Sequence, residues 1–462
     1  MSAVMAEHYD VLILGSGQAG NPLSSDFVKA GKRVALIERA EVAGTCINYG
    51  CTPTKTMIAS AQRAWQARHA AELGIEVGPV CVDLEKVRAR KRKIVEQFRT
   101  SNEKRFADGQ PELVRGEARF VAPKEIAVAL KIAGEHRMTA DTIVINTGVS
   151  PIVPAIDGLA AVPFLDNVSL MELDAVPEHL VILGGGYEAV EFGQMFRRFG
   201  SAVTLVERGK HVLAHEDEDI SEVVESILRE DGLQIETEAN AIRVSGQAGA
   251  ITVHLESGKT VSGSHLLVAV GRSPNTKELQ LSAAGIETDE HGYIKVDEEL
   301  RTNVLGIYAV GDVKGGPAFT HVSYDDYRIL RDNVITGTGR RKTTDRPTVY
   351  VVYMDPQLGR IGMTEAEARK SGGRIKIARM PVSSIARAVE TGETRGMLKA
   401  IVDVDSEEIL GAAILAPEGG EVMSMFELAI MGKLRYSRLE NAVFAHPAFA
   451  ESLNTLWGHF EQ

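Results

Sequence analysis

The sequence predicts an α/β chain of several domains, two of them Rossmann-like and the last α+β, because one local pattern occurs twice and then gives way to another. A strand, a glycine-rich turn, a helix and a second strand ending in an acid appear near the N-terminus and again near the middle. From about Thr348 onward, strand-like and helical segments alternate without such a turn, which marks a separate C-terminal domain. A length of 462 residues exceeds what one hydrophobic core usually serves and agrees with that division.

The first copy begins with the apolar run Val11-Leu12-Ile13-Leu14 and enters Gly15-Ser16-Gly17-Gln18-Ala19-Gly20. After a helical segment it reaches Val34-Ala35-Leu36-Ile37 and Glu38, with Arg39 next. Gly15, Gly17 and Gly20 allow a tight turn and a close approach of backbone to a pyrophosphate at a helix N-terminus, while Glu38 suits ribose hydroxyls. The second copy runs through Leu180-Val181-Ile182-Leu183, Gly184-Gly185-Gly186-Tyr187-Glu188-Ala189, Val203-Thr204-Leu205-Val206 and Glu207. First glycine and acid are 23 residues apart in both copies, Gly15 to Glu38 and Gly184 to Glu207. Strand, turn and acid agree twice, so two adenine-dinucleotide sites are expected. Ala189 stands where a third glycine would and is small enough to keep helix and strand close. Glu207 would bind a ribose diol and repel a 2′-phosphate, which favours NADH over NADPH, although the neighbouring Arg208 could accommodate that phosphate.

Three further apolar strands end in glycine: Ile143-Val144-Ile145-Asn146-Thr147-Gly148, Leu266 to Gly271-Arg272, and Leu305 to Gly311-Asp312. The first two lead toward Pro151 and Pro274 and read as exits between domains. The third suits hydrogen bonding to the ribityl or phosphate region of a cofactor.

Cys46 and Cys51 enclose Ile47-Asn48-Tyr49-Gly50 and are followed by Thr52-Pro53-Thr54-Lys55. Thr52 is expected to cap a helix and Pro53 to sit in its first turn, so the Cys51 sulfur would lie where the helix field and the Lys55 cation favour thiolate. Read alone, the spacing fits a redox-active pair, half of a metal site or two buried thiols. With three cysteines in all, a structural disulfide framework is not expected, and Cys81 reads as a bystander.

A net charge of -12 argues against general affinity for nucleic acid or anionic membrane. The basic run Lys86 to Lys93 is expected to be the solvated face of an amphipathic helix whose apolar side carries Val87, Ile94, Val95 and Phe98. MSAVMAEHYD lacks the form of a signal peptide, and no apolar stretch is long enough to span a bilayer, so a cytoplasmic protein is expected.

Together these motifs resemble the class I pyridine nucleotide-disulfide oxidoreductases, the family of glutathione reductase, dihydrolipoyl dehydrogenase and mercuric reductase. The likeness rests on Gly44-Thr45-Cys46 through Lys55, the segment Gly184 to Glu191, Gly271-Arg272-Ser273-Pro274-Asn275, Gly311-Asp312 and the final His446-Pro447-Ala448-Phe449-Ala450-Glu451. It implies an FAD-binding domain over 1–150, an NAD(P)-binding domain over 151–272, a central domain over 273–345 and an interface domain over 346–462 that makes a homodimer. FAD would be held by Gly15, Gly17, Gly20, Glu38, Arg39, Gly44, Thr45, Cys46, Lys55, Gly116, Thr147, Gly148, Gly311 and Asp312. The nicotinamide cofactor would lie on Gly184, Gly186, Tyr187, Glu191, Glu207 and Gly271, with Tyr187 as a gate.

By the same resemblance Cys51 is the thiol nearer the flavin, Cys46 the interchange thiol, His446 with Glu451 an acid-base pair supplied across the dimer, and Lys55 with Glu191 an ion pair. The cysteine loop and the ending look closest to the mercuric-reductase-like branch, which includes hypothiocyanous acid reductases. The ending Trp457-Gly458-His459-Phe460-Glu461-Gln462 has no cysteine pair to pass Hg(II) inward, and no resident metal site is expected. The expected activity is therefore transfer from NAD(P)H through FAD and the cysteine pair to a small disulfide, an oxidised sulfur or halogen species, or a metal ion. The alternatives are a dihydrolipoyl dehydrogenase and, from another class, a flavin-binding thiol redox sensor; a soluble transhydrogenase fits less well because both cysteines are present.

Overall fold

The structure, a computed structural model, describes residues 6–109, 111–132 and 134–461. The residues MSAVM, part of the start read as lacking a leader, and the final Gln462 lie outside them. The chain divides into two compact units: residues 1–56, 89–152 and 272–346 form the first, and 57–88, 153–271 and 347–462 the second.

In the first unit the strand Glu7–Leu14 pairs in parallel with Val34–Glu38 on one side and Glu135–Ile145 on the other. Ile307–Ala309 extends the parallel sheet beyond Glu135–Ile145. Two long strands serve a second layer as well. Residues 112–115 continue the parallel sheet beside residues 35–38, whereas residues 116–122 turn antiparallel to Glu125–Leu130, which in turn pairs with residues 135–139. The twofold period of the strands sorts their side chains between two cores. Val11, Ile13, Val34 and Leu36 pack with Leu23 and Phe27 of the helix Gly20–Lys29. Leu12, Leu14, Ala35 and Ile37 pack on the opposite face with Leu279, Leu281, Ile286 and Ile294.

The second unit repeats the scheme. A parallel sheet runs in the order His265–Val268, His179–Leu183, Ala202–Val206, Gln234–Glu236. Leu180, Ile182, Val203 and Leu205 face the helices Tyr187–Phe199 and Glu218–Glu230, while Val181, Leu183 and Val206 face a three-stranded antiparallel sheet through Val244, Val253 and Leu255. The expected α+β C-terminal portion is an antiparallel sheet in the order Val349–Val352, Gln357–Gly362, Ile409–Ala416, Met397–Asp403, Ile375–Pro381. The helix Gly419–Met431 lays Val422, Met423, Phe426 and Ala429 into its core.

Residues 57–88 fall in the second unit, where Met57, Ala61 and Leu84 join the core built around Phe192 and Phe196. One sequence expectation needs correction. The helix Leu84–Glu103 buries Leu84, Lys91 and Val95, whereas Phe98 is 49% exposed. Lys91 therefore leaves the solvated face assigned to the basic run, and Arg88 donates to the Glu172 carbonyl at 2.8 Å. No helix among the described residues is long and apolar enough to cross a membrane.

Candidate active site

The two glycine turns begin alike. Gly15 and Gly184 both take left-handed backbone, with φ of 102° and 113°. Each donates its N–H to the carbonyl just before the acid at the end of the second strand, Ile37 at 2.8 Å and Val206 at 2.9 Å. A Cβ at either position would lie 2.4 Å from the Asn146 carbonyl oxygen or 2.3 Å from that of Ala269, so only glycine fits. Gly20 and Gly44 are equally constrained, since added Cβ atoms would lie 2.2 Å from the Gly15 carbonyl oxygen and 2.7 Å from the Gly17 Cα. Gly186 differs: nothing lies within 4 Å of an added Cβ, and it leaves open space at the N-terminus of the helix Tyr187–Phe199.

The acids diverge. Glu38 Oε1 accepts from the Ala40 N–H at 2.7 Å, as Glu207 Oε1 does from Gly209 at 2.6 Å. Glu38 Oε2 also accepts from the Ser16 N–H at 3.0 Å and the Ser16 hydroxyl at 2.6 Å. In the second module a glycine, Gly185, stands in place of Ser16, and Glu207 Oε2 accepts no hydrogen bond among the described residues. Arg208 is exposed beside it. Arg39 is exposed too, 3.4 Å from Glu117, and Gly116 is explained by its strand, where a Cβ would lie 2.5 Å from the Ala129 carbonyl oxygen.

The glycine-ended strands are tied together by their turns. The Thr147 hydroxyl donates to the Asn275 carbonyl at 3.0 Å, the Asn275 side chain donates to the Thr147 carbonyl at 2.9 Å, and the Asn275 N–H reaches the left-handed Gly148 at 2.9 Å. The Gly311 N–H donates to the buried Asp326 at 2.8 Å, and Asp326 also meets Lys314 and Arg346. Burial pushes the neighbouring Asp312 carboxyl up, against the pull of Arg272 and Lys314. Gly271, with φ of 125°, lies beyond the end of the strand His265–Val268, in the second unit.

Cys46 lies in the short helix Gly44–Asn48 and Cys51 opens the long helix Cys51–Arg68, and the two are not joined in a disulfide. The helix starts one residue before the expected Thr52 cap, because the Gly50 carbonyl already accepts the first intrahelical bond, from Thr54 at 3.1 Å. Cys51 is thus inside the first turn, and Pro53 remains within it. The Cys46 thiol is pushed far above the ordinary range, chiefly by its hydrogen bond to Cys51, then by burial and the charge on Cys51, while Thr320 and Lys55 pull it down. The two thiols are thus close enough to titrate as a coupled pair, with the start of the helix Cys51–Arg68 at the Cys51 sulfur.

Glu191 is 3% exposed and accepts the Tyr353 N–H at 2.8 Å, and Tyr187 is half-buried in the first turn of the same helix. His446 is exposed, with Nδ1 3.0 and 3.1 Å from the two oxygens of Glu451, which also accepts from the Ala448 N–H at 3.0 Å. That backbone bond and His446 hold the Glu451 carboxyl below the usual range. A carboxylate acceptor is met by a ring N–H at Nδ1, so Nε2 is the ring nitrogen turned away from Glu451.

A family model described as pyridine nucleotide-disulphide oxidoreductase matches residues 9–326, and the model of that family's dimerisation domain matches residues 348–457. The chain belongs to this family. It is 39% identical, over 97% of its length and 98% of the relative's, to the probable pyridine nucleotide-disulfide oxidoreductase RclA of Escherichia coli. Identity to a mercuric reductase of Staphylococcus aureus is 32%, covering 96% and 81% of the two chains. A dihydrolipoyl dehydrogenase of Thermus scotoductus is 31% identical, with 96% of each covered. The solved structure of the HOCl-induced flavoprotein disulfide reductase RclA from Escherichia coli matches with a TM-score of 0.88 and 39% identity, over 97% of this chain and 99% of that one. The chain is an FAD-dependent disulfide oxidoreductase with two Rossmann-like sheets and the family's dimerisation domain.

The first turn of the oxidoreductase fits the flavin nucleotide, because Gly15, Gly17 and Gly44 present bare backbone at the entrance of the helix Gly20–Lys29. Ser16, Asn146, Asp326 and Thr320 shape this region and are not among the site residues expected from sequence. Ser16 joins Glu38 to the cysteine loop, since its hydroxyl also accepts the N–H of Ala43 at 3.1 Å, and Ala43 is itself left-handed. Ser16→Ala is expected to cost about 1–3 kcal/mol by leaving those buried partners unsatisfied, and to speed flavin release. Thermal unfolding and the flavin-to-protein ratio after dialysis check this; wild-type values for both would refute the link.

Proposed function

We propose that this oxidoreductase takes electrons from NADH, passes them through FAD to the Cys46–Cys51 pair, and reduces a small disulfide, an oxidised sulfur or halogen species, or a thiol-bound metal ion. The observation that carries the reading is the pairing of the two thiols: Cys46 is hydrogen-bonded to Cys51, and Cys51 lies in the first turn of an 18-residue helix, whose field favours its thiolate. FAD, when bound on Gly15, Gly17, Gly20, Glu38, Arg39, Gly44, Thr45, Gly116, Thr147, Gly148, Gly311 and Asp312, supplies the exchange between hydride and an electron pair. Lys55, one turn along from Cys51, keeps positive charge near the thiols. Tyr187 gates the nicotinamide pocket, and Glu191 anchors its floor through Tyr353. The dimerisation domain supports a homodimer in which the partner subunit's His446 deprotonates Cys46 and protonates the leaving group.

Glu207 supports NADH, since one of its oxygens remains available for a ribose diol and its charge opposes a 2′-phosphate. Glu207→Gln is expected to raise KM for NADH about tenfold and to improve NADPH, because a charge-assisted bond is replaced by a neutral one. Steady-state kinetics with both nucleotides check it, and an unchanged preference would refute the role of Glu207.

The proposed activity is tested by anaerobic reduction with each nucleotide, a count of new thiols, and challenge with oxidised lipoamide, glutathione disulfide, hypothiocyanous acid and Hg(II). Two new thiols and sustained turnover with one acceptor identify the substrate. Thiols that appear without turnover would indicate a sensor, and no new thiols would end the dithiol reading.

A further inference from the structure

The Cys51 sulfur lies 3.2 Å from the hydroxyl oxygen of Thr320, a residue 269 positions away. Thr320 is the first residue of the helix Thr320–Leu330. The chain reaches it through Gly315 and Gly316, both left-handed, and through an extended Phe319 whose carbonyl accepts the Ser323 N–H at 3.0 Å. Two helices therefore begin around one sulfur: Cys51 opens an 18-residue helix, and its Sγ meets the opening residue of an 11-residue one. Both N-termini carry partial positive charge. The branched Cβ of threonine restricts χ1, so its hydroxyl is held in direction as well as in distance.

We propose that Thr320 is a positioning residue for Cys51, donating its hydroxyl hydrogen bond to the Cys51 thiolate and so favouring the reduced dithiol over the disulfide. The assignment rests on the dithiol function proposed above. When two electrons and one proton enter the disulfide, the S–S bond breaks, Cys46 takes the proton and Cys51 becomes the anion. The hydroxyl then faces a charged acceptor. When the disulfide forms again the anion disappears, and the bond weakens to that of a neutral sulfur. The hydroxyl thus acts on the equilibrium and not only on geometry. Of the titratable groups on the segments that meet here, Cys46 on the preceding helix is hydrogen-bonded to Cys51, Lys55 on the Cys51 helix pulls the thiol pair toward its charged form, and the exposed His321 follows Thr320 in the chain. Lys55 adds to the effect.

The test uses the full-length, flavin-loaded protein. In a Cys46→Ser background, alkylation of Cys51 by iodoacetamide is followed against pH by peptide mass spectrometry, with and without Thr320→Val. The valine variant is expected to need about one pH unit more to reach half its maximal rate, and Thr320→Ser to restore most of the shift. With both cysteines present, Thr320→Val is expected to lower the equilibrium constant for dithiol formation about tenfold, which is about 30 mV for a two-electron couple. If Thr320→Val does not fold or load flavin, Thr320→Ala carries the same comparison. Identical alkylation profiles and identical potentials in folded, loaded variants would overturn the assignment. If the parent protein forms no dithiol on reduction, it is the proposed function that fails, a result distinguishable from an unchanged Thr320 variant.

Discussion

Replacing Cys46 by serine is expected to lower acceptor turnover at least about a thousandfold while the protein still consumes one equivalent of NADH, because the loss of a nucleophile removes a whole reaction path and not one contact. Cys51→Ser is expected to be just as inactive in turnover but to fail at a different step. With a disulfide acceptor, the Cys46 thiolate attacks one sulfur, the acceptor S–S bond breaks, a mixed disulfide forms at Cys46, and the departing thiolate takes a proton. In the proposed mechanism the Cys51 thiolate then attacks the Cys46 sulfur, closes the internal disulfide and expels the second thiol, so that two electrons have left the pair. Without Cys51 the mixed disulfide has nothing to resolve it. One acceptor half per chain should therefore be trapped on Cys46 in Cys51→Ser, and none in Cys46→Ser; mass spectrometry of the intact protein reads the difference. The placement of the thiols predicts this polarity, since Cys51 lies in the first turn of a long helix, whose field favours the resolving thiolate, whereas the Cys46 thiol is pushed up and must be activated before it attacks. An adduct on Cys51 in the Cys46→Ser protein would reverse the roles.

Much of the architecture was legible because its requirements are local. Gly15 and Gly184 must avoid a carbonyl oxygen, and Glu38 and Glu207 must end a strand, so each leaves a mark in a short stretch of sequence. The alternation that separates Val11 and Ile13 from Leu12 and Leu14 is equally local. Ser16 belongs to the same turn yet passes unnoticed, because the motif is defined by its glycines and the role of Ser16 depends on Glu38 and Ala43 coming back to it. Thr320 and Asp326 have no local mark at all. Their partners, Cys51 and the Gly311 N–H, are brought to them by the packing of the sheet. The helix entrance at Cys51 shows the opposite failure: Thr52 is a good capping residue, but Gly50 had already supplied the carbonyl that starts the helix. Likewise Lys91 reads as solvated by type and is buried by position, on the stripe it shares with Leu84 and Val95.

His446→Ala is expected to lower kcat/KM for the acceptor by about 10²–10⁴ at neutral pH, the range associated with losing a positioned general base. Its ring is held by both oxygens of Glu451, and that carboxylate stays ionised below the usual carboxylate range because the Ala448 N–H and His446 both favour its charge. The support for Nε2 as a base therefore persists throughout neutral pH. The sign of the pH dependence follows from Cys46. Its proton is held above the ordinary thiol range, so without a base the reactive thiolate fraction grows tenfold with each pH unit below that point. The deficit of His446→Ala should accordingly shrink as pH rises, whereas a merely structural loss would leave a parallel profile. The same residue tests the dimer. A mixture of Cys46→Ser and His446→Ala chains, dissociated and reassembled, should recover about a quarter of the wild-type sites, because half of the random dimers are hybrids and each hybrid has one complete site. No recovery after verified exchange would place the base on the same chain as the thiol, and an unchanged rate in His446→Ala would remove it from the mechanism.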